Sequence, residues 1–149
     1  MQKYTYLTQL ATLAQTHPEA FEALPETSIR ELEALGNNGN ALPQAFREYL
    51  TLAGKKHPLE LDDQGEGLVG LQHLSKREIA ATGQIVDRSF VVVDVYESEY
   101  TVFFTDTTAA DPEMFKIDPY AAMEGAPLIE PLNLCFTELI SEKTAQWIR

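Results

Sequence analysis

Apolar positions in the first third of the chain recur at helical spacing. Across residues 4–15, Leu7, Leu10, Ala11 and Ala14 fall three and four residues apart, which places them on one face of a helix. His17-Pro18 interrupts that face. Pro18 suits the first turn of a short second segment carrying Phe21 and Leu24, and Pro25 breaks the chain again. Ser28 and Glu31 have capping-box spacing, with Ile29, Leu32 and Leu35 as the buried stripe of the helix that follows. Gly36-Asn37-Asn38-Gly39-Asn40 stops it, glycine supplying the left-handed conformation common at helix ends. The next helix is predicted over residues 43–53. Pro43 takes its first position, Leu42, Phe46, Tyr49 and Leu50 form the core stripe, and Gly54 closes it.

Beyond Gly54 the pattern changes. Gly65, Gly67 and Gly70 predict a loop and a short strand around Leu68 and Val69, with a brief helical segment carrying Leu71, Leu74 and Ile79. The run Phe90-Val91-Val92-Val93-Asp94-Val95-Tyr96 is β-branched and aromatic, as strands prefer. Glu97-Ser98-Glu99 is its turn and Tyr100-Thr101-Val102-Phe103-Phe104-Thr105 the returning strand of a hairpin. Met114-Phe115-Lys116-Ile117 predicts a third strand at the hairpin's edge. Pro119, Gly125, Pro127 and Pro131 mark a long irregular stretch, and a closing helix over residues 134–148 carries Phe136, Leu139, Ile140 and Trp147. No repeat, linker or low-complexity tract divides the chain, so one domain is expected.

Charge narrows the possible partners. The 149 residues hold 23 Asp and Glu against 11 Lys and Arg, a formal charge of −12. Nucleic-acid binders need basic surface to release counterions from phosphate, and an anionic membrane repels this balance, so neither partner is expected. A basic protein is the complement that opposite potentials would steer. The single cysteine, Cys135, allows no internal disulfide and points to a reducing compartment. The opening residues show no signal-peptide pattern, and apolar runs such as residues 90–93 are far shorter than the roughly 20 residues of a spanning helix. A cytoplasmic location is expected.

Motifs that carry chemistry are sparse. His17, His57 and His73 show no i, i+4 pairing and no accompanying cysteine pair, so no metal site is expected. Cys135, just before the last helix, reads as a small packed hydrophobe. Asp62, Asp63, Asp106 and Asp111 lie in predicted loops without the alternating ligands of a calcium loop. Gly65, Gly67 and Gly70 have G-x-G-x-x-G spacing, but a nucleotide site requires a buried strand before the motif and a crossover helix after it; Glu60-Leu61-Asp62-Asp63-Gln64 precede it and no clear crossover helix follows. No catalytic residue and no cofactor is expected.

The motif Ile29-Arg30-Glu31-Leu32-Glu33, followed after a gap by Leu42-Pro43-Gln44-Ala45-Phe46-Arg47-Glu48-Tyr49-Leu50 and Gly54, resembles the SUKH superfamily. That superfamily holds fungal cell-wall-synthesis regulators and many bacterial immunity proteins. The order of later segments is similar too: Gly67-Leu68-Val69-Gly70-Leu71, the hairpin of residues 90–104, a D-P-x-x-aromatic step at 111–115, and Phe136-Thr137-Glu138-Leu139-Ile140. Lys55-Lys56-His57 departs from the pattern. The resemblance implies one SUKH-like domain over residues 1–149, with an α+β fold whose mostly antiparallel sheet is packed by N-terminal and C-terminal helices. It implies no shared catalytic residues, and a role in neutralising a cognate toxin by direct binding.

A basic toxin domain is therefore the partner expected first. Asp62, Asp63, Glu66, Glu97, Glu99 and Asp106 supply the acidic ring, and Tyr96, Tyr100 and Phe103 the aromatic anchors. The alternatives are a regulatory or scaffold module without a toxin partner, and a carboxylate-based hydrolase or small-molecule binder, which would show converging carboxylates in a deep pocket. Residues 91–95 could also form an open sheet edge able to pair between chains.

Overall fold

A computed structural model describes residues 3–62 and 64–148 of the chain. Helix α1 (Thr8–Thr16) leads through a 3-10 turn at Pro18–Ala20 to α2 (Glu26–Asn37), α3 (Gln44–Ala53) and α4 (Gly67–Ala81). Strands β1 (Phe90–Tyr96), β2 (Glu99–Phe104) and β3 (Glu113–Ile117) follow, then α5 (Pro119–Met123), β4 (Ile129–Cys135) and α6 (Phe136–Trp147). The strands make one antiparallel sheet in the order β1-β2-β3-β4, so the fold is α+β with helices at both ends of the chain.

The stripe on α3 builds the centre of the core. Leu42, Phe46, Tyr49 and Leu50 are all buried. Phe46 meets Phe103 of β2 edge-on at 5.0 Å and Phe136 of α6 at 5.4 Å, and Tyr49 meets Phe136 at 5.7 Å. Such T-shaped pairs add to the area each ring removes from water. One further core-facing residue of α3 is charged. Glu48 is 3% exposed, and its carboxylate accepts the backbone N–H groups of Thr5, Tyr6 and Leu7 at 2.9–3.1 Å. Charge-assisted bonds to backbone amides keep a buried carboxylate tolerable.

Two contacts fix β1 against the helices. Gly36 of α2 lies so close that a Cβ there would overlap Val91 Cγ2 and sit 3.1 Å from the Phe90 carbonyl. On α4, Gln72 is 1% exposed. Its amide nitrogen donates to the Val92 carbonyl at 2.8 Å, and its amide oxygen accepts the Val92 N–H at 2.8 Å. A register shift between Val92 and Asp94 leaves Val93 bulged, and Asp94 then opposes Thr101.

Several elements differ from the sequence reading. Helix α2 begins at Glu26, two residues before Ser28, because Pro25 already supplies an extended N-cap. The capping box lies elsewhere: Cys135 caps α6, its N–H donating to Glu138 Oε1 at 2.9 Å. The left-handed stop after α2 is Asn38, at φ 53°, whereas Gly36 is a contact residue inside the helix. Pro43 is the N-cap of α3 rather than its first residue. Residues predicted as a strand around Leu68 belong to the 15-residue α4. The stretch taken as irregular contains α5 and β4, with Pro131 exposed on the edge strand, where a missing N–H costs no ladder bond.

Residues 91–95 do lie at a sheet edge, but all except the half-buried Asp94 are buried, and Gln72 fills the place of the next strand at Val92. No helix among the described residues is long and apolar enough to cross a membrane.

Candidate functional site

The tip of the β1–β2 hairpin gathers the expected partner-binding residues most densely. Glu97 turns the chain there in the left-handed region, at φ 56°, and is exposed. The loop before α4 packs against this turn. Gln64 Nε2 donates to the Glu97 carbonyl at 2.6 Å, and the Asp62 N–H donates to Asp94 Oδ1 at 2.8 Å. Asp62 itself is left-handed, at φ 57°, a region that aspartate tolerates better than most residues. Its carboxylate accepts the N–H groups of Glu66 at 3.1 Å and Gly67 at 2.7 Å, so its charge sits at the positive start of α4. Tyr96, 64% exposed, stands at the end of β1.

Beside the tip lies a cleft of about 400 Å³ lined by Glu60, Leu61, Asp94, Val95, Tyr96 and Lys143. Tyr49 and His57 lie near the same acidic groups, their rings 6.1 Å apart. Burial pushes the Tyr49 hydroxyl up, and the charges of Asp94 and Asp62 push it further. Burial lowers His57, against the opposing pull of its bond with Leu59 and the charge of Asp62. The Leu59 N–H donates to His57 Nδ1 at 3.2 Å, which leaves the neutral ring's proton on Nε2.

The other expected residues fall elsewhere. Tyr100 and Phe103 are fully buried and cannot serve as surface anchors. Phe103 belongs to the aromatic centre with Phe46 and Phe136, while the Tyr100 hydroxyl bonds Glu78 of α4, which also accepts the Ser98 hydroxyl at 3.1 Å. Alternation along β2 turns both inward, on opposite faces, because the sheet is covered at each. Glu99 is half-buried and pairs with Lys116 at 3.7 Å. Asp106 lies at the far end of the hairpin, bound at both oxygens by Arg88 at 2.7 and 2.8 Å; that guanidinium also stacks on Phe104 at 3.8 Å. The Arg88 hydrogen bonds hold the Asp106 carboxyl below its ordinary range. Glu66 is exposed at the start of α4, and Asp63 lies outside the described residues.

The structure thus brings together Asp62, Glu66, Tyr96 and Glu97, and separates Glu99, Tyr100, Phe103 and Asp106 from them. The cleft also uses Glu60, Asp94 and Lys143, which the sequence reading did not single out. For Asp94 a signal existed: it is the one charged residue in the apolar run of β1. Chemically, a concave surface with carboxylates beside an exposed phenol ring favours a cationic group with an apolar stem. Among the described residues, no group of three or more His, Cys, Asp and Glu is placed to hold a metal ion.

No family model, no curated protein and no solved structure matches the chain.

Proposed function

We propose that this chain is a SUKH-type immunity protein that acts in the cytoplasm by binding and neutralising a cognate toxin with a basic surface. The observation that carries the reading is the hairpin tip. An exposed tyrosine stands there among carboxylates on two adjoining loops, in a chain of net charge −12. A large rigid ring contributes contact area at low entropic cost, and acidic neighbours steer a basic partner and penalise a wrong one. The α+β fold with helices at both ends agrees with what the SUKH resemblance implies. Inhibition needs no chemistry from this chain; covering an essential toxin surface suffices.

The test is co-expression with the product of the adjacent gene. Stoichiometric capture with rescue of growth is expected, weakened by Tyr96→Ala and by Glu66→Lys combined with Glu97→Lys. Truncating a buried interface anchor costs about 2 kcal/mol or more of binding. A harmless neighbour that forms no complex would overturn the reading, and capture without rescue would redirect it to a scaffold role.

A further inference from the structure

The turn that ends α2 holds three asparagines in different settings. The Asn37 side-chain amide donates to the carbonyls of Asn40 and Ala41 at 3.3 and 2.8 Å, and that of Asn40 donates to the Asn37 carbonyl at 3.1 Å. Asn38, the left-handed C-cap at φ 53°, is exposed, and its side-chain amide has no hydrogen-bond partner among the described residues. Gly39 follows it, also exposed, with open space where a Cβ would stand. We propose that Asn38 is a site of spontaneous deamidation, gated by the last turn of α2. This chemistry needs neither a partner nor an enzyme.

The Gly39 nitrogen attacks Asn38 Cγ. The N–Cγ bond forms, the Cγ–Nδ2 bond breaks, and Nδ2 leaves as ammonia with the proton given up by the Gly39 nitrogen. Water then opens the cyclic imide. Addition at Cγ gives aspartate, and addition at the main-chain carbonyl gives isoaspartate, whose backbone runs through Cγ. Water is the only co-reactant. Glycine is the successor that hinders the attack least, because no side chain stands beside its nitrogen. Ala41 and Leu134, which follow Asn40 and Asn133, both carry one, as does Asn38 after Asn37.

The folded chain restrains the reaction in two ways. The N–H groups of Asn38 and Gly39 both donate to the Glu33 carbonyl, the latter at 2.9 Å, so the attacking nitrogen is engaged in the closing turn of the helix. At ψ 33° the Cα–Cβ bond of Asn38 lies nearly opposite the bond to the Gly39 nitrogen, so the ring closes only after rotation about ψ. Both restraints are released when the helix end frays, an opening of low free energy at an exposed terminus. The product then works against reclosure. A carboxylate at residue 38 puts a negative charge at the negative end of the helix, and isoaspartate adds an atom to the turn that the Glu33 carbonyl closes.

The test is incubation of the full chain at pH 8, folded and in guanidinium chloride, with isoelectric focusing for the added negative charge and peptide mass mapping for its position. In the folded chain, modification should be confined to Asn38, at a rate about fivefold below that in denaturant, the scale of one net amide hydrogen bond. Asn38→Gly, which suits the left-handed turn and has no side-chain amide, should stay folded and acquire no new acidic species. Asn38→Asp should focus with the modified protein and have a lower urea midpoint than the parent. Acidic species that persist in Asn38→Gly, or comparable modification of Asn37, Asn40 or Asn133 in the folded chain, would overturn the site. Equal rates with and without denaturant, or a folded chain left intact while the unfolded one converts fully, would overturn the gate.

Discussion

Gln72 and Val92 bond to each other as neighbouring strands do: the side-chain amide donates to the Val92 carbonyl and accepts its N–H, both at 2.8 Å. Gln72 also donates to the Leu68 carbonyl one helical turn back, at 2.9 Å, so α4 holds the amide in position. A buried primary amide carries the same donor and acceptor pair as a peptide group. β1 is thereby an edge strand whose exposed hydrogen-bonding capacity is used up at its middle by a helix.

Replacing Gln72 with leucine should leave both Val92 groups buried and unpaired. About 1–3 kcal/mol is lost for each such group, so a drop of roughly 2–6 kcal/mol is expected. Urea denaturation monitored by circular dichroism measures it, with light scattering to register any new association through β1. A loss below about 0.5 kcal/mol, the scale of an ordinary surface change, would show that water replaces the amide there.

Gly36→Ala adds a single methyl where α2 meets Val91 Cγ2 and the Phe90 carbonyl. Alanine normally favours a helix over glycine by about 1 kcal/mol. Here the overlap should reverse that sign, giving a net destabilisation of about 1–3 kcal/mol. Relief by Val91→Ala in the double variant would localise the clash, since coupled neighbours deviate from additivity.

The hairpin of residues 90–104 and the aromatic stripe of α3 were legible because their signals are local. A β-branched run carries its own strand preference, and i, i+4, i+7 spacing its own helical face. For α4 only the part carrying Leu71, Leu74 and Ile79 was legible; its first turn was not, since Gly65, Gly67 and Gly70 read as turns until Asp62 is seen to hold the amides of Glu66 and Gly67, starting the helix across the glycines. The spacing therefore does run into a helix, but no strand precedes it among the described residues. Strand β4 was hidden by Pro131, a residue that disfavours central strands yet is acceptable at an edge. The candidate site was legible as loop acidity and as Tyr96. Which aromatic faces outward was not, because Tyr96, Tyr100 and Phe103 differ only in how the helices cover the sheet.

His57 gives the fold a dependence on mild acid. Burial lowers its folded pKa below the ordinary value near 6.5, so the unfolded chain takes up the proton first. The stability contributed is complete above about pH 6.5 and is lost as pH falls below that value toward the folded pKa. Urea midpoints between pH 7.5 and 5 should decline, and His57→Asn, which keeps an acceptor for the Leu59 N–H, should flatten the decline. Parallel curves for the two proteins would remove His57 as its source.

Cys135 should be a poor nucleophile despite its place at the start of α6. Burial, joined by the thiol's bond to Asp111 at 3.2 Å, pushes it up to about 11 against the lowering effect of the Glu138 N–H. Alkylation by iodoacetamide at pH 8 should be slower in the native protein than in urea, and should accelerate only toward pH 11. Equal native and unfolded rates at pH 8 would contradict the assignment.

The convergence of three amides on Glu48 makes residues 5–7 a latch with a single bolt. Because Thr5, Tyr6 and Leu7 all close on one carboxylate, loss of that carboxylate would release all three amides together, directly before the start of α1. The free energy of that event can lie well below that of global unfolding, as it does for cooperative local openings in general. Opened, the latch would bare Leu7 and Leu10, which are 3% and 2% exposed when it is closed. The same opening would loosen the seam between the first helix and the last, where His17 at the end of α1 meets Trp147 of α6 edge-on at 5.4 Å.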